Sequence, residues 1–459
     1  MAGTVYDVIV IGAGPTGENV AARAVRGGLT AVIVESELAG GECSYWACTP
    51  SKALLRPVAA VGEAAHVRGV AGVRLEPDEV LARRDSFAHN WQDDAQVEWI
   101  HNAGIELVRG PGRICGERLV KVGDAELRAR QAVVVCTGSR AVVPGGLADA
   151  DPWTSREATS AHSVPGRLAI VGGGVVGCEM ATAWQALGAQ VTLLSWGPLL
   201  DRLPAFAGDL VAQGLRAAGA VVRTGVAVTA ASRTGAGAPV TLTLDDGSTL
   251  EGDEVLAATG RAPRTEDIGL ESVGLTPGSW LEVDDTMRIP AVEGGWLYAA
   301  GDVNHLALLT HMGKYQGRIC GDAIVARASG KEPTVTDRSC ATCVPQVVFT
   351  EPEVAAVGLT EDQARERGVN VRVVDYEIGD LSGAALWADG YTGRAQMVVD
   401  DDSRVLAGMT LAGPGVGELI HAATIAIAGE VPLDKLWHAV PSYPTMSEVW
   451  LRLLESYGL

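Results

Sequence analysis

Apolar and polar positions along this chain fall into blocks that predict strands feeding helices through glycine turns. Tyr6–Ile11 is a short apolar, β-branched run, the pattern of a buried strand. It ends in Gly12-Ala13-Gly14-Pro15-Thr16-Gly17, a helical stretch follows to about Gly28, and Thr30–Glu35 makes a second strand. The same order returns from Arg167: an apolar run, Gly172-Gly173-Gly174-Val175-Val176-Gly177, a helix from Cys178 to about Leu187, and a strand over Gln190–Leu194. Met180–Leu200 carries no charge and approaches the length of a membrane span, but Gln185, Gly188, Gln190 and Pro198 interrupt it. It reads as helix, turn and strand. Val133–Gly138 and Val255–Gly260 are two further strand endings of similar sequence, and Trp296–Ala300 is a buried strand running into Gly301-Asp302.

Strand, tight glycine turn, helix and strand make a dinucleotide-binding unit. The glycines let backbone approach a pyrophosphate at the helix N-terminus, and an acid closing the second strand accepts hydrogen bonds from ribose hydroxyls. Glu35 is that acid in the first unit. In the second, Ser195 and Trp196 stand where an acid would favour an unphosphorylated ribose, and Arg202 lies seven residues on. NADH and NADPH both stay open, and loss of the acid tilts the expectation toward NADPH. Asp302, directly after a buried strand, is placed to hold a ribityl hydroxyl or a phosphate-linked water.

Between the two units lies GGECSYWACTPSK, in which Cys43 and Cys48 are separated by four residues. A thiol pair near a helix N-terminus, with that helix running on toward Lys52 and Arg56, favours thiolate. Cys340 and Cys343 form a second, closer pair with no further ligand pair at zinc-site spacing, so no metal site is expected, and they read as free thiols of a connector. Cys115, Cys136, Cys178 and Cys320 read as small core residues.

Composition narrows the partners. With 36 Lys+Arg against 56 Asp+Glu the formal charge is -20, which disfavours nucleic acid and anionic membrane surfaces. Eight cysteines in 459 residues are too few for a secreted disulfide scaffold, and the first residues lack a basic leader, so a cytoplasmic protein is expected.

These pieces, in this order, resemble the pyridine nucleotide-disulfide oxidoreductases, the family of dihydrolipoamide dehydrogenase, glutathione reductase and mercuric reductase. The matching stretches are Gly12–Gly17 with Glu35, GGECSYWACTPSK, GGGVVGCE ending at Glu179, ATGRAP, AGD ending at Asp302 and VVFTEPEVAAVGLT. The resemblance implies an α/β fold with two Rossmann-like domains, for FAD and NAD(P)H, and an α+β C-terminal domain that forms a homodimer. Expected edges are 1–150 and 276–335 for FAD, 151–275 for NAD(P)H and 340–459 for the interface.

It further implies that FAD is bound by Gly12, Gly14, Gly17, Glu35, Lys52, Gly112, Gly138, Asp302 and Thr310, and NAD(P)H by Gly172, Gly174, Gly177, Ser195 and Gly260. Electrons would pass from nicotinamide through flavin to a Cys43–Cys48 disulfide and on to a small-molecule acceptor. Cys48 would be the thiol near the flavin and Cys43 the one that exchanges. Lys52 would sit beside the flavin and pair with Glu179, and a helix from Thr310 would point its N-terminus at the flavin, where reduction builds negative charge.

One departure stands out in HAVPSYPTMSEVW. Disulfide-reducing members carry His immediately before Pro-Thr, supplied by the partner subunit as an acid, and a Glu five residues later; here Tyr443 takes the place of His and Glu448 remains. Tyrosine, with a reference pKa of about 10 against about 6.5 for histidine, is a poor proton shuttle at neutral pH. Losing such a group costs about 100 to 10,000-fold, so efficient turnover of lipoamide or glutathione is not expected. His438 lies five residues upstream and is expected to pack or meet solvent. Mercuric reductases carry a C-terminal cysteine pair where this sequence ends Ser456-Tyr457-Gly458-Leu459. Three outcomes remain: reduction of an unusual acceptor through the thiols, quinone or diaphorase reduction by flavin directly, or redox sensing.

Overall fold

The computed structural model describes residues 4–235 and 237–459. They pack as two compact units: the described residues up to Pro50 with Asp85–Ala141 and Arg261–Ala341, and Ser51–Arg84 with Val142–Gly260 and Thr342–Leu459.

The first unit is built on a seven-stranded sheet. Its parallel part runs Glu106–Arg109, Ala31–Glu35, Thr4–Ile11, Ala125–Val135, and Leu297–Ala299 adds in parallel to the end of the last of these. Leu119–Val122 and Gly112–Ile114 extend it antiparallel. Register aligns the strand ends, Ile11 opposite both Val34 and Val135. The following glycine turn therefore lies at the carboxyl edge of the sheet, where open α/β sheets bind ligands. Both faces are covered: Ile9, Ile11, Val133 and Val135 belong to one apolar layer, Val8, Val10, Ala132 and Val134 to the other. That explains the unbroken apolar runs in the sequence.

Helix α1 (Pro15–Arg26) leaves the glycine turn with Pro in its first turn, where the missing N–H costs no helical bond. A later helix, Thr310–Ala328, packs across α1 on Gly313, Gly317 and Gly321. A Cβ at Gly317 would fall 2.6 Å from the Thr16 carbonyl oxygen, and one at Gly321 2.5 Å from the Arg23 Cβ. Three small residues at a spacing of four thus let the two backbones approach and fix where the later helix begins.

In the second unit, a four-stranded parallel sheet runs Val221–Thr224, Gln190–Ser195, Arg167–Val171, Glu254–Ala257. An antiparallel three-stranded meander follows, and a five-stranded antiparallel sheet, including Glu353–Gly358, Val405–Gly413 and Arg394–Asp400, carries the C-terminal part. Met180–Leu200 is the expected helix, turn and strand, and among the described residues no helix is long and apolar enough to cross a membrane. The α/β architecture with an α+β C-terminal part is the expected one.

Cysteine placement differs from expectation at two positions. Cys115 is only half-buried, whereas Cys343 lies inside the C-terminal core with its thiol donating to the Thr424 carbonyl at 3.5 Å.

Candidate active site

The two glycine turns share a backbone solution. Gly12 and Gly172 have φ of 110° and 122°, and a Cβ would fall 2.4 Å from the Cys136 carbonyl oxygen in one and 2.2 Å from that of Ala258 in the other. Gly17 and Gly177 sit over the carbonyl oxygens of Gly12 and Gly172, at 2.0 and 1.9 Å from a notional Cβ. Gly14 and Gly174, by contrast, face open space within 4 Å, as do Gly138 and Gly260 after the strands alongside. Each turn therefore presents bare backbone toward a ligand-sized opening beside a helix N-terminus, as a pyrophosphate requires.

The acid differs. Glu35 accepts from the Ala13 N–H and the Glu37 N–H, both at 2.7 Å, which fixes the carboxylate under the first turn with lone pairs left for ribose hydroxyls. Ser195 is buried against Gly173, and Trp196 after it is 77% exposed. Gly112 packs on Val34 and Ile11, so close packing accounts for its lack of a side chain.

Around the first turn, polar groups converge in a way the motifs alone did not reveal. Ser139 donates to Asp302 at 2.5 Å, Arg261 donates to the Ser139 hydroxyl at 2.6 Å, and Arg264 pairs with Glu42 at 2.8 Å. Burial pushes the Asp302 carboxyl above its ordinary range against the bond from Ser139. The buried Thr137 hydroxyl has no partner. An orphaned donor beside the open face of Gly138 fits a polar ligand there. The chain's residues thus fit FAD at the first turn and a nicotinamide dinucleotide at the second.

The thiols lie in the first unit. Gly41–Tyr45 is a short helix holding Cys43, and helix α2 (Cys48–Ala65) opens on Cys48. Cys48 Sγ is 3.2 Å from Thr310 Oγ1, and the Cys43 thiol lies near enough to Cys48 and Thr310 to feel both. Thr310 begins the helix on α1, whose N-terminus has no side-chain cap, so its positive end meets the sulfurs. The thiolate preference expected for the pair needs correction at Cys43. Its thiol is pushed up by the bond with Cys48 and by burial, and only Thr310 and Lys314 pull it down. Two neighbouring thiols cannot both ionise freely, so ionisation of one disfavours that of the other.

In the second unit, helix α3 (Val175–Ala186) carries Glu179. Lys52 Nζ meets its carboxylate at 2.8 and 3.1 Å, and the Phe349 N–H donates to it at 3.0 Å. The Phe349 ring lies 5.0 Å from the ammonium. With Glu179 5% exposed and Lys52 35%, this is a largely desolvated pair rather than a surface one.

Tyr443 is 74% exposed, its hydroxyl donating to Ser382 at 3.4 Å. Glu448 is buried and accepts from Arg452 at 2.6 Å, while its other oxygen has no partner. Nothing joins Tyr443 to Glu448 as an imidazole and its orienting carboxylate would be joined. His438 is exposed.

Two nucleotide turns, a dithiol and an ion pair on facing helices define a flavin- and nicotinamide-dependent oxidoreductase. The chain belongs to the pyridine nucleotide-disulphide oxidoreductase family, whose model matches residues 6–330, with the dimerisation domain of the same family matching 344–453. It is an NAD(P)H-dependent oxidoreductase with FAD as cofactor. Among its relatives, the dihydrolipoyl dehydrogenase of Thermus scotoductus is 33% identical over 98% of this chain and 97% of its own, and a mercuric reductase of Staphylococcus aureus is 28% identical over 96% and 81%. The crystal structure of LpdA from Mycobacterium tuberculosis superposes with a TM-score of 0.83 at 25% identity, covering 99% of this chain and 100% of that one. The Cu(II) complex of the HOCl-induced flavoprotein disulfide reductase RclA from Escherichia coli shares the fold, with a TM-score of 0.84 at 23% identity over 98% and 99%.

Proposed function

We propose that this protein works as a homodimer that takes electrons from NAD(P)H and delivers them through Cys43 and Cys48 to an acceptor other than lipoamide or glutathione disulfide. The placement of both thiols beside Thr310 carries the first half of this reading. The exposed Tyr443 and the Arg452-bound Glu448 carry the second. FAD, when bound, supplies the two-electron relay between nicotinamide and thiols. The Lys52–Glu179 pair holds a positive charge at a fixed place on α2, one turn beyond Cys48, and the Thr310 hydroxyl orients the sulfurs. Cys43 attacks the acceptor; Cys48 then displaces the reduced product and re-forms the disulfide.

Anaerobic titration of the holoenzyme tests this directly. Uptake of four electrons per flavin is expected, two in the disulfide and two in the ring system, and uptake of two would overturn the reading. Cys48→Ser should abolish turnover of the physiological acceptor. Tyr443→His should raise turnover of small disulfides by about 10 to 100-fold, part of the effect of a general acid. The same absence of an imidazole favours one alternative, direct reduction of quinones, which turnover surviving substitution of both cysteines would support.

A further inference from the structure

We infer that Gln316 is a positioning residue for the flavin site: its side-chain amide holds the backbone on both sides of Asp302 and ties that turn to the helix whose first residue, Thr310, meets Cys48. This rests on the reading that Asp302 faces the flavin nucleotide.

The backbone sets the need. Strand Leu297–Ala299 runs beside the long central strand, and the Ala300 N–H still donates to the Val135 carbonyl. The sheet bond at the next residue is replaced by a side chain: the buried Gly301 N–H donates to Gln316 Oε1 at 2.7 Å. The same oxygen accepts from Asn304 Nδ2 at 2.8 Å. Gln316 is fully buried in the middle of helix Thr310–Ala328. One oxygen therefore anchors the residue before Asp302 and the residue two after it. Asp302 is held without spending its carboxylate, which accepts from Ser139.

The rest of the amide is committed as well. Gln316 Nε2 donates to Cys340 Sγ at 3.4 Å, which settles which end of the amide is oxygen. Asn304 donates in addition to the Ala299 carbonyl at 3.3 Å and accepts from the Leu306 N–H at 3.1 Å. Packing closes on the same turn: a Cβ on Gly301 would fall 2.7 Å from Thr16 Oγ1, and one on Gly313 2.3 Å from it. Gln316 lies three residues beyond Gly313 and six beyond Thr310, whose hydroxyl stands 3.2 Å from Cys48 Sγ. The turn that carries Asp302 and the helix end that meets Cys48 are thus fixed to one another through this amide. Removing its oxygen while filling its space orphans the Gly301 N–H, so the turn shifts to satisfy it and carries Asp302 along.

The test is a double-mutant cycle on FAD affinity, measured by dialysis of the holoenzyme and the visible absorbance of the flavin retained. Gln316→Met fills the same space without an acceptor and should raise the FAD dissociation constant about tenfold, the size of one to two net hydrogen bonds. Gln316→Asn, one methylene too short for the bond to Gly301, should weaken FAD to a similar degree and serves if Gln316→Met fails to fold. Gln316→Glu keeps the accepting oxygen and should stay within about threefold of native. Asp302→Ala should weaken FAD about tenfold or more, and adding Gln316→Met to it should change the constant no further, because a residue that acts through Asp302 then has nothing left to position. Effects that multiply in the double variant, or an unmoved constant in Gln316→Met beside a weakened Asp302→Ala, overturn the inference and leave Gln316 a buried amide of the fold alone. An unmoved constant in Asp302→Ala overturns instead the reading of Asp302 on which it rests.

Discussion

The two glycine turns have nearly the same backbone and different chemistry. Gly12 matches Gly172 and Gly17 matches Gly177, in conformation and in the carbonyl oxygens they crowd. Yet Glu35 answers to Ser195, and Glu18, after the third glycine of the first turn, answers to Cys178. Positions that crowd backbone repeat because any side chain there would collide. Positions that face the ligand or the helix interior diverge, since each is free to suit its own nucleotide. The geometry of a turn therefore marks dinucleotide binding, and the residues around it decide which dinucleotide.

The largest effect tests whether the turns are independent. Gly17→Val and Gly177→Val each place a side chain against a carbonyl oxygen about 2 Å away, a collision expected to cost about 3 kcal/mol or more unless the turn opens and loses its ligand-binding shape. Gly17→Val should leave the protein without flavin, seen as loss of its visible absorbance. Gly177→Val should keep flavin but slow its reduction by NAD(P)H more than about 100-fold in stopped-flow. Loss of flavin in the second variant would break the comparison.

The contrast between Glu18 and Cys178 comes next and shows in pH. Burial raises the Glu18 carboxyl from 4.5 to about 7, with the Gln96 bond and Lys314 working against it. The fold thus holds a proton that the unfolded chain releases between those values. Stability from this group is fully present below about 4.5 and is lost as pH rises through 7, by up to about 3 kcal/mol. Cys178, its thiol pushed up to about 12 by burial, stays neutral throughout. Glu18→Gln should flatten thermal stability between pH 5 and 8 and raise the melting temperature at pH 8. Glu351, also raised to about 7, contributes to both proteins and drops out of the difference. An unchanged slope in Glu18→Gln would show that the group is solvated in solution.

Glu35→Ala removes the carboxylate that accepts from the Ala13 and Glu37 N–H groups. Charge-assisted bonds of this kind contribute about 1.5 to 3 kcal/mol, so flavin affinity should fall about 10 to 100-fold, measured by dialysis against apoprotein.

Much of this was legible beforehand, for identifiable reasons. The strand pattern, both turns and the thiol pair are local: each motif fits within a few consecutive residues, so their elements could be anticipated, while the Lys52–Glu179 pairing, 127 residues apart, came from the family resemblance. What escaped notice depends on residues far apart in sequence. Ser139, Asp302 and Arg261 meet only because Leu297–Ala299 pairs with the long central strand and brings Asp302 beside it. The suppressed ionisation of Cys43 comes from its bond with Cys48 and its burial, which helix-terminus reasoning alone did not supply. The stripe Gly313, Gly317 and Gly321 acquires its meaning only from the fold, which sets it against α1.

The smallest predicted effect asks whether Glu35's device can be transplanted. Glu35 reaches the N–H of Ala13, the residue after the first glycine of its turn. The matching N–H in the second turn belongs to Gly173, which Ser195 already faces. Ser195→Glu should rebuild the same bond and place a carboxylate where a ribose 2'-hydroxyl would donate and a 2'-phosphate would be repelled. Ser195 is buried, so part of the gain is offset by crowding at Gly173. The ratio of kcat/KM for NADH over NADPH should rise about three- to tenfold, roughly the 1 kcal/mol of one added hydrogen bond, with flavin content unchanged. A rise confined to NADPH would mean that the exposed Trp196 and Arg202, rather than the end of the strand, set the preference.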